Sequence, residues 1–289
     1  MAIFKIDTKK VQQLSLKTEG FGNEFNLRDF FAENLEEILG VRFLEKEYPT
    51  TDGRIDTLGI DENNSPVIIE YKWHENKEIF TQSLSYLGWL LKNKREFELL
   101  VQNKLGKEMD VIWDNPRVIL IAQGFDKRTR EAAPTHQRVE LKTYSLYEGN
   151  VLNIENEYSP RPEKKRITKK EKEETEYNLD YHLDIATPEM QKAFLTLQEK
   201  LLQLPSVEEV AGQKTGITYR TTKSFTRLEF KGAWIQLLLR DPSYEGDSKG
   251  IVRDVTTHRW GFRGVVKFTP ESDIDYIFSL VKASYESTL

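Results

Sequence analysis

GRIDTLGIDENNSPVIIEYKW, from Gly53 to Trp73, decides how the rest of the chain is read. Arg54 to Ile60 and Val67 to Trp73 are rich in apolar, β-branched and aromatic residues, and they flank the turn-forming cluster DENNSP. That pattern predicts two strands joined by a tight connection. With DENNS as a five-residue loop, Ile60 stands opposite Pro66, and counting back places Asp56 across from Glu70. Side chains alternate faces along a strand, so Glu70 and Lys72 point one way and Val67 and Ile69 the other. The hairpin therefore gathers an aspartate, a glutamate and a lysine on one face.

Two carboxylates about 4 Å apart repel by roughly 4 kcal/mol at an effective dielectric of about 20. A divalent cation removes that conflict. Hard carboxylate oxygens suit Mg²⁺, which keeps several waters and also binds substrate phosphate. Such an ion polarises a phosphoryl oxygen and lowers the pKa of a bound water. Lys72 then has two candidate tasks, orienting or deprotonating the water and stabilising charge on the phosphate. The plainer alternative is a surface hairpin whose lysine and acids form cross-strand ion pairs. The Ile68-Ile69 run and Trp73 argue against a fully solvated hairpin.

Outward from this segment, the N-terminal half alternates helix and strand. Leu27 to Leu39 carries a helical stripe of Phe30, Phe31, Leu35, Ile38 and Leu39, ended by Gly40. Val41 to Tyr48 reads as a strand and Ile79 to Leu100 as one long amphipathic helix. Val118 to Ala122 is a wholly apolar run, as a buried strand would be. A short helix at Arg128 to Thr135 and strands at Val139 to Tyr147 and Val151 to Tyr158 follow. The order is α-β-β-β-α-β, with additions, over residues 1–158.

Residues 159–185 begin with SPRPEKKRITKKEKEET and read as a solvated charged linker, or as a basic arm that touches nucleic acid. Residues 186–289 read as a small α+β domain. Thr187-Pro188-Glu189 and Thr269-Pro270-Glu271 both look like helix starts, with a hydroxyl cap, a proline in the first turn and an acid at the positive end of the dipole. Strands are expected near Ile217–Arg220, Phe225–Phe230, Trp234–Arg240 and Val265–Phe268. Arg220, Lys223, Arg227, His258, Arg259, Trp260 and Arg263 offer a cationic and aromatic set for nucleic acid, or simply a mixed surface.

The formal net charge of −5 argues against a protein that coats nucleic acid by bulk charge, but permits a local basic groove beside an acidic site. The absence of cysteine removes disulfides, thiolate metal sites and cysteine nucleophiles. MAIFKIDTKK has no secretory apolar region, and no apolar run is long enough for a membrane span, so a cytoplasmic protein without membrane attachment is expected. No GxSxG, GxxxxGK[ST] or HExxH pattern is present.

Asp56 followed by Glu70-Tyr71-Lys72 resembles the D…(D/E)xK motif of the PD-(D/E)XK nuclease superfamily. The form GRID…VIIEYK is similar to its NucS-like branch of metal-dependent DNA endonucleases. The resemblance spans about residues 20 to 125 and implies a restriction-endonuclease-like α/β core. It also implies a further glutamate on the preceding helix, for which Glu24 is the positional match and Glu33 the alternative. It implies a QxxxY motif on the following helix, met by Gln82 and Tyr86, which four-residue spacing puts on one helical face. Ordinary helix packing is the other reading of that pair. Ile55 replaces the superfamily's proline. The C-terminal half resembles a domain of unknown function found behind such modules. The resemblance thus implies a Mg²⁺- or Mn²⁺-dependent deoxyribonuclease with Asp56, Glu70 and Glu24 as metal ligands and Lys72, Gln82 and Tyr86 completing the site. DNA is the implied partner and a homodimer a possible assembly. A nuclease fold retained only to bind nucleic acid or protein is the alternative.

Overall fold

The computed structural model describes residues 3–7, 9–73, 78–107, 109–159, 177–240, 246–255 and 261–289. The chain divides into two compact units, Met1–Glu37 with Val41–Pro160, and Ile38–Gly40 with Arg161–Leu289. Most of SPRPEKKRITKKEKEET lies outside the described residues, as do His258, Arg259 and Trp260.

The first unit opens with a ribbon, β1 (Phe4–Asp7) and β2 (Lys10–Gln13), that the hydropathy pattern did not announce. Helices α1 (Glu24–Glu33) and α2 (Leu35–Leu39) precede three antiparallel strands, β3 (Val41–Thr50), β4 (Gly53–Asp61) and β5 (Pro66–Lys72). Then come α3 (Ile79–Lys92), α4 (Lys94–Leu105), β6 (Arg117–Ala122), α5 (Lys127–Ala132) with a 3₁₀ turn at Ala133–Thr135, β7 (Val139–Tyr147) and β8 (Val151–Tyr158). The sheet order is β3-β4-β5-β6-β7-β8, parallel along β5-β6-β7 and antiparallel outside.

The continuous apolar runs of β5 and β6 are those of strands covered on both faces. Ile68 joins a core with Leu87, Leu90, Phe97 and Val101 of α3 and α4. Tyr71, of opposite parity, meets the Phe31 ring of α1 with centroids 5.6 Å apart. One helical layer therefore lies on each side of the β4–β5 hairpin.

Both expected long helices are broken, and by the same device. Leu27 to Leu39 is interrupted at Asn34 and Ile79 to Leu100 at Asn93. Each asparagine lies outside helical dihedrals, and each donates its side-chain amide to the carbonyl four residues back, Asn34 to Phe30 at 2.7 Å and Asn93 to Trp89 at 2.8 Å. The local bond competes with continuation of the helical ladder.

The second unit is an antiparallel sheet in the order β13-β14-β12-β11-β10-β9, formed by β9 (Glu208–Gln213), β10 (Gly216–Arg220), β11 (Ser224–Phe230), β12 (Ile235–Leu239), β13 (Arg253–Asp254) and β14 (Gly264–Phe268). Helices α6 (Leu179–Ile185), α7 (Pro188–Leu202) and α8 (Ile274–Glu286) accompany it. Helix α6 falls inside the stretch read as linker. Met190, Phe194 and Leu197 pack with Tyr219, Leu228, Leu237, Val266, Phe268, Leu280 and Val281. Thr187 caps α7 as expected, its hydroxyl accepting from the Met190 N–H. Thr269 does not cap α8. Its own N–H donates to the Ser272 hydroxyl, closing a separate turn, and Asp273 caps the helix three residues before Tyr276.

Three members of the cationic and aromatic set do not lie on a surface. Arg220, Lys223 and Arg227 are buried. Arg220 pairs with Glu208 at 3.2 Å, and Arg227 bonds Gln213, Thr215 and Glu229. Their charge is spent inside the fold, because a buried guanidinium requires partners.

Two outcomes follow. A Cβ at Gly59, in the middle of β4, would sit 2.8 Å from the Arg42 carbonyl oxygen and collide with Val41. Gly59→Ala should lower unfolding free energy by about 1–3 kcal/mol in denaturant titration. His182 is fully buried, donates from Nε2 to the Ala211 carbonyl at 3.2 Å, and is held below its usual 6.5 by burial. The unfolded chain therefore binds the proton more readily, so stability should fall as pH drops below about 6.5. Thermal melts of wild type and His182→Gln from pH 8 to 5 should converge at the acidic end.

Candidate active site

Strand register sets the site. Ile60 pairs with Pro66, Gly59 with Val67, Leu58 with Ile68 and Thr57 with Ile69, and there the β4–β5 ladder stops. At the next step the side chains replace it. The Asp56 N–H donates to Glu70 Oε1 at 3.0 Å, and the Tyr71 N–H donates to Asp56 Oδ2 at 3.0 Å. Each carboxylate thus caps the partner strand while remaining close to the other.

Glu70 is 1% exposed. Burial, then the charge of Asp56, pushes its carboxyl well above the usual range; the Asp56 N–H and Lys72 oppose this. Asp56 is raised by burial and by the charge of Glu24, against the pull of the Tyr71 N–H, Lys72 and Arg28. Burial alone would lower the Lys72 ammonium, but its bond to Glu24 and the charges of Glu24, Asp56 and Glu70 hold it above its usual value. Lys72 Nζ lies 2.7 Å from Glu24 Oε1. Glu24 sits in the first turn of α1, capped by the Asn23 side chain, and so reaches the end of β5. Glu33, one helix end away, is exposed.

Gln82 and Tyr86 do share a helical face. Gln82 Nε2 donates to the Tyr86 hydroxyl at 2.7 Å, and the same oxygen accepts from the Arg54 N–H at 3.1 Å. The pair reaches the backbone of β4 two residues short of Asp56. Ser85 adds a bond to Asp52 at 2.9 Å. Gly53, at φ +142, is required there, since a Cβ would stand 2.7 Å from the Tyr86 hydroxyl.

The structure thus brings Glu24, Asp56, Glu70 and Lys72 into one electrostatic group, with Gln82 and Tyr86 beside its supporting strand. Two neighbours carried no sequence signal. Arg28, one helical turn from Glu24, acts on Asp56 while paired with Asp29 and Glu47 at 3.0 and 3.1 Å. Tyr144 of β7 has a buried hydroxyl with no hydrogen-bond partner among the described residues, and burial with the charge of Glu24 pushes its phenol up to about 12.

Asp56 and Glu70 are the hard-oxygen pair available to a cation. Among the described residues, no group of three or more His, Cys, Asp or Glu side chains is arranged to hold a metal ion. Glu24 Oε1 accepts from Lys72 at 2.7 Å.

No family model matches the chain. A Haemophilus influenzae protein described as uncharacterized is 29% identical over 297 residues, covering 96% of this chain and 98% of that protein. Among solved structures, an EndoMS-dsDNA2 complex aligns with 48% of this chain and 48% of that chain at TM-score 0.28 and 18% identity. A repair endonuclease from Pyrococcus abyssi aligns with 40% and 43% at TM-score 0.25 and 20% identity. This chain therefore spans about half the length of the two solved chains it matches.

Neutralising the buried member of the acid pair should relieve repulsion while keeping its acceptor oxygen. Glu70→Gln should be more stable than wild type in the metal-free state, with the gap widening as pH rises, because the raised carboxyl must ionise inside the native protein; denaturant titrations at pH 6 and pH 8 check this.

Proposed function

We propose that the first unit is a metal-dependent nuclease that hydrolyses phosphodiester bonds in DNA. The observation that carries this reading is the pair of buried, raised carboxylates, Asp56 and Glu70, each bonded to the other strand's backbone and set beside a protonated lysine at the end of a hairpin. An apolar cross-strand pair would be more stable there, so the arrangement makes sense only if something offsets the repulsion. The donor set fits a hard divalent ion such as Mg²⁺ or Mn²⁺ that keeps most of its water shell, with two protein carboxylates and no sulfur or imidazole. When bound, such an ion supplies Lewis acidity and a water of lowered pKa.

The chain's own groups have distinct tasks. Asp56 and Glu70 provide the negative charge that holds the ion, and their backbone contacts fix both oxygens before it binds. Lys72 stays an ammonium at neutral pH, because its acidic neighbours raise its pKa. Its task is to orient the water and to stabilise charge gathering on the phosphate, not to remove a proton. Glu24 holds Lys72 in place. Gln82 and Tyr86 pin the strand that carries Asp56, so they position the site and do not perform the chemistry.

A second reading has its own support. The Lys72–Glu24 bond and the lack of a three-acid group among the described residues suit a nuclease fold kept to bind nucleic acid or protein. One set of measurements separates the two. Single-stranded, double-stranded and branched DNA are incubated with the purified protein and Mg²⁺ or Mn²⁺. Cutting is expected, with Asp56→Ala and Lys72→Ala each lowering the rate on the order of 10²-fold or more. Cutting that survives both substitutions unchanged ends the nuclease assignment. Calorimetry that finds no Mn²⁺ binding in the presence of DNA favours the binding module.

A further inference from the structure

We infer that Arg54 grips a backbone phosphate of the substrate strand beside the one being cut, and that the α3 contacts to the β3–β4 turn exist to hold it there. The inference rests on the nuclease reading and names a substrate contact which that reading did not include.

The cations around the acid pair are nearly all engaged. Lys72 is bonded to Glu24, Arg28 to Asp29 and Glu47, and Lys46 to Asp29 at 3.1 Å. Arg54 differs. It is exposed, and no side-chain ion pair or hydrogen bond holds its guanidinium among the described residues. It stands two residues before Asp56 on β4, a spacing that puts both side chains on one side of the strand.

Its backbone, in contrast, is clamped. The Arg54 N–H donates to the Tyr86 hydroxyl at 3.1 Å, Gly53 lies against that same hydroxyl, and Asp52 accepts from Ser85 at 2.9 Å. Asp52 and Arg54, on either side of Gly53, are thus both bonded to one helix. An arginine whose main chain is fixed and whose fork is open is pre-organised for a planar oxyanion. Guanidinium and phosphate match in two parallel N–H···O bonds. Beside a site that splits phosphodiesters, that anion is a neighbouring phosphate of the same polynucleotide.

The test is a binding measurement on the full chain, with Ca²⁺ in place of Mg²⁺ and a labelled DNA oligonucleotide as probe. Dissociation constants are measured against NaCl concentration for wild type, Arg54→Gln and Arg54→Lys. Arg54→Gln should bind about tenfold more weakly and should reduce the salt slope by about 1. Arg54→Lys should keep the slope and recover only part of the affinity, because a point charge replaces a fork. A scan of single neutral methylphosphonates along the strand adds the positional readout. One position near the cut should weaken wild-type binding and leave Arg54→Gln unaffected, which a merely structural role for Arg54 would not produce. If wild type binds DNA while Arg54→Gln keeps its affinity, slope and positional response, the Arg54 assignment falls and the nuclease reading stands. If wild type binds neither single- nor double-stranded DNA, both fall. Matching circular dichroism melts for the three proteins confirm that the comparison is between folded chains.

Discussion

Asp61 holds the register on which the site depends. One of its oxygens accepts the N–H groups of Asn63 and Ser65, both at 2.9 Å, and so closes the turn between β4 and β5. The other meets Arg117 of β6. Arg117 continues to Glu140 of β7 at 3.0 Å, Glu140 lies 3.7 Å from Lys142, and Lys142 reaches Asn156 of β8. A line of buried charges thus ties the hairpin turn to β6 and β7, and a hydrogen bond to Asn156 carries it on to β8. Breaking one buried pair costs about 3–5 kcal/mol, because the remaining charge is left uncompensated. A one-residue slip of β5 would turn Glu70 and Lys72 to the opposite side of the sheet. The network makes that slip prohibitive.

Electrostatics is handled differently at the two ends of the same hairpin. Around Asp61 every charge has an opposite partner. Around Glu70 the two acids face each other, and the one nearby lysine is shared with Glu24. The contrast sets a network of paired buried charge against a cluster in which like charges meet. Perturbed carboxylates that the fold leaves uncompensated are candidates for chemistry, whereas compensated networks mainly specify structure.

Much of this was legible in the sequence. The turn cluster DENNS and the β-branched runs on each side of it sufficed to place Ile60 opposite Pro66, and from that alone Asp56 meets Glu70. The Thr187-Pro188 start was equally readable, because capping is local. The failures have local causes too. Asn34 and Asn93 cut helices that the apolar stripe would carry through, since a stripe records burial and not the competing side-chain bond. The Arg220, Lys223 and Arg227 set looked like an open face because residue type does not reveal an internal partner. The helix glutamate was ambiguous between Glu24 and Glu33 for a similar reason. The choice depended on where α1 begins, and the Asn23 cap that fixes its first turn offers one of several polar starts in that stretch. Arg28 and Tyr144 reach the site only through tertiary packing.

The two contacts that assemble the acid–lysine group close loops of very different length. Asp56 meets Glu70 across 14 residues of chain, whereas Lys72 meets Glu24 across 48. Loop-closure entropy grows with separation, so the shorter contact is the less demanding to form. The acid pair is therefore internal to one hairpin, whereas the Lys72–Glu24 bond needs α1 in place, so loosening α1 would release Lys72 while Asp56 and Glu70 keep their contact.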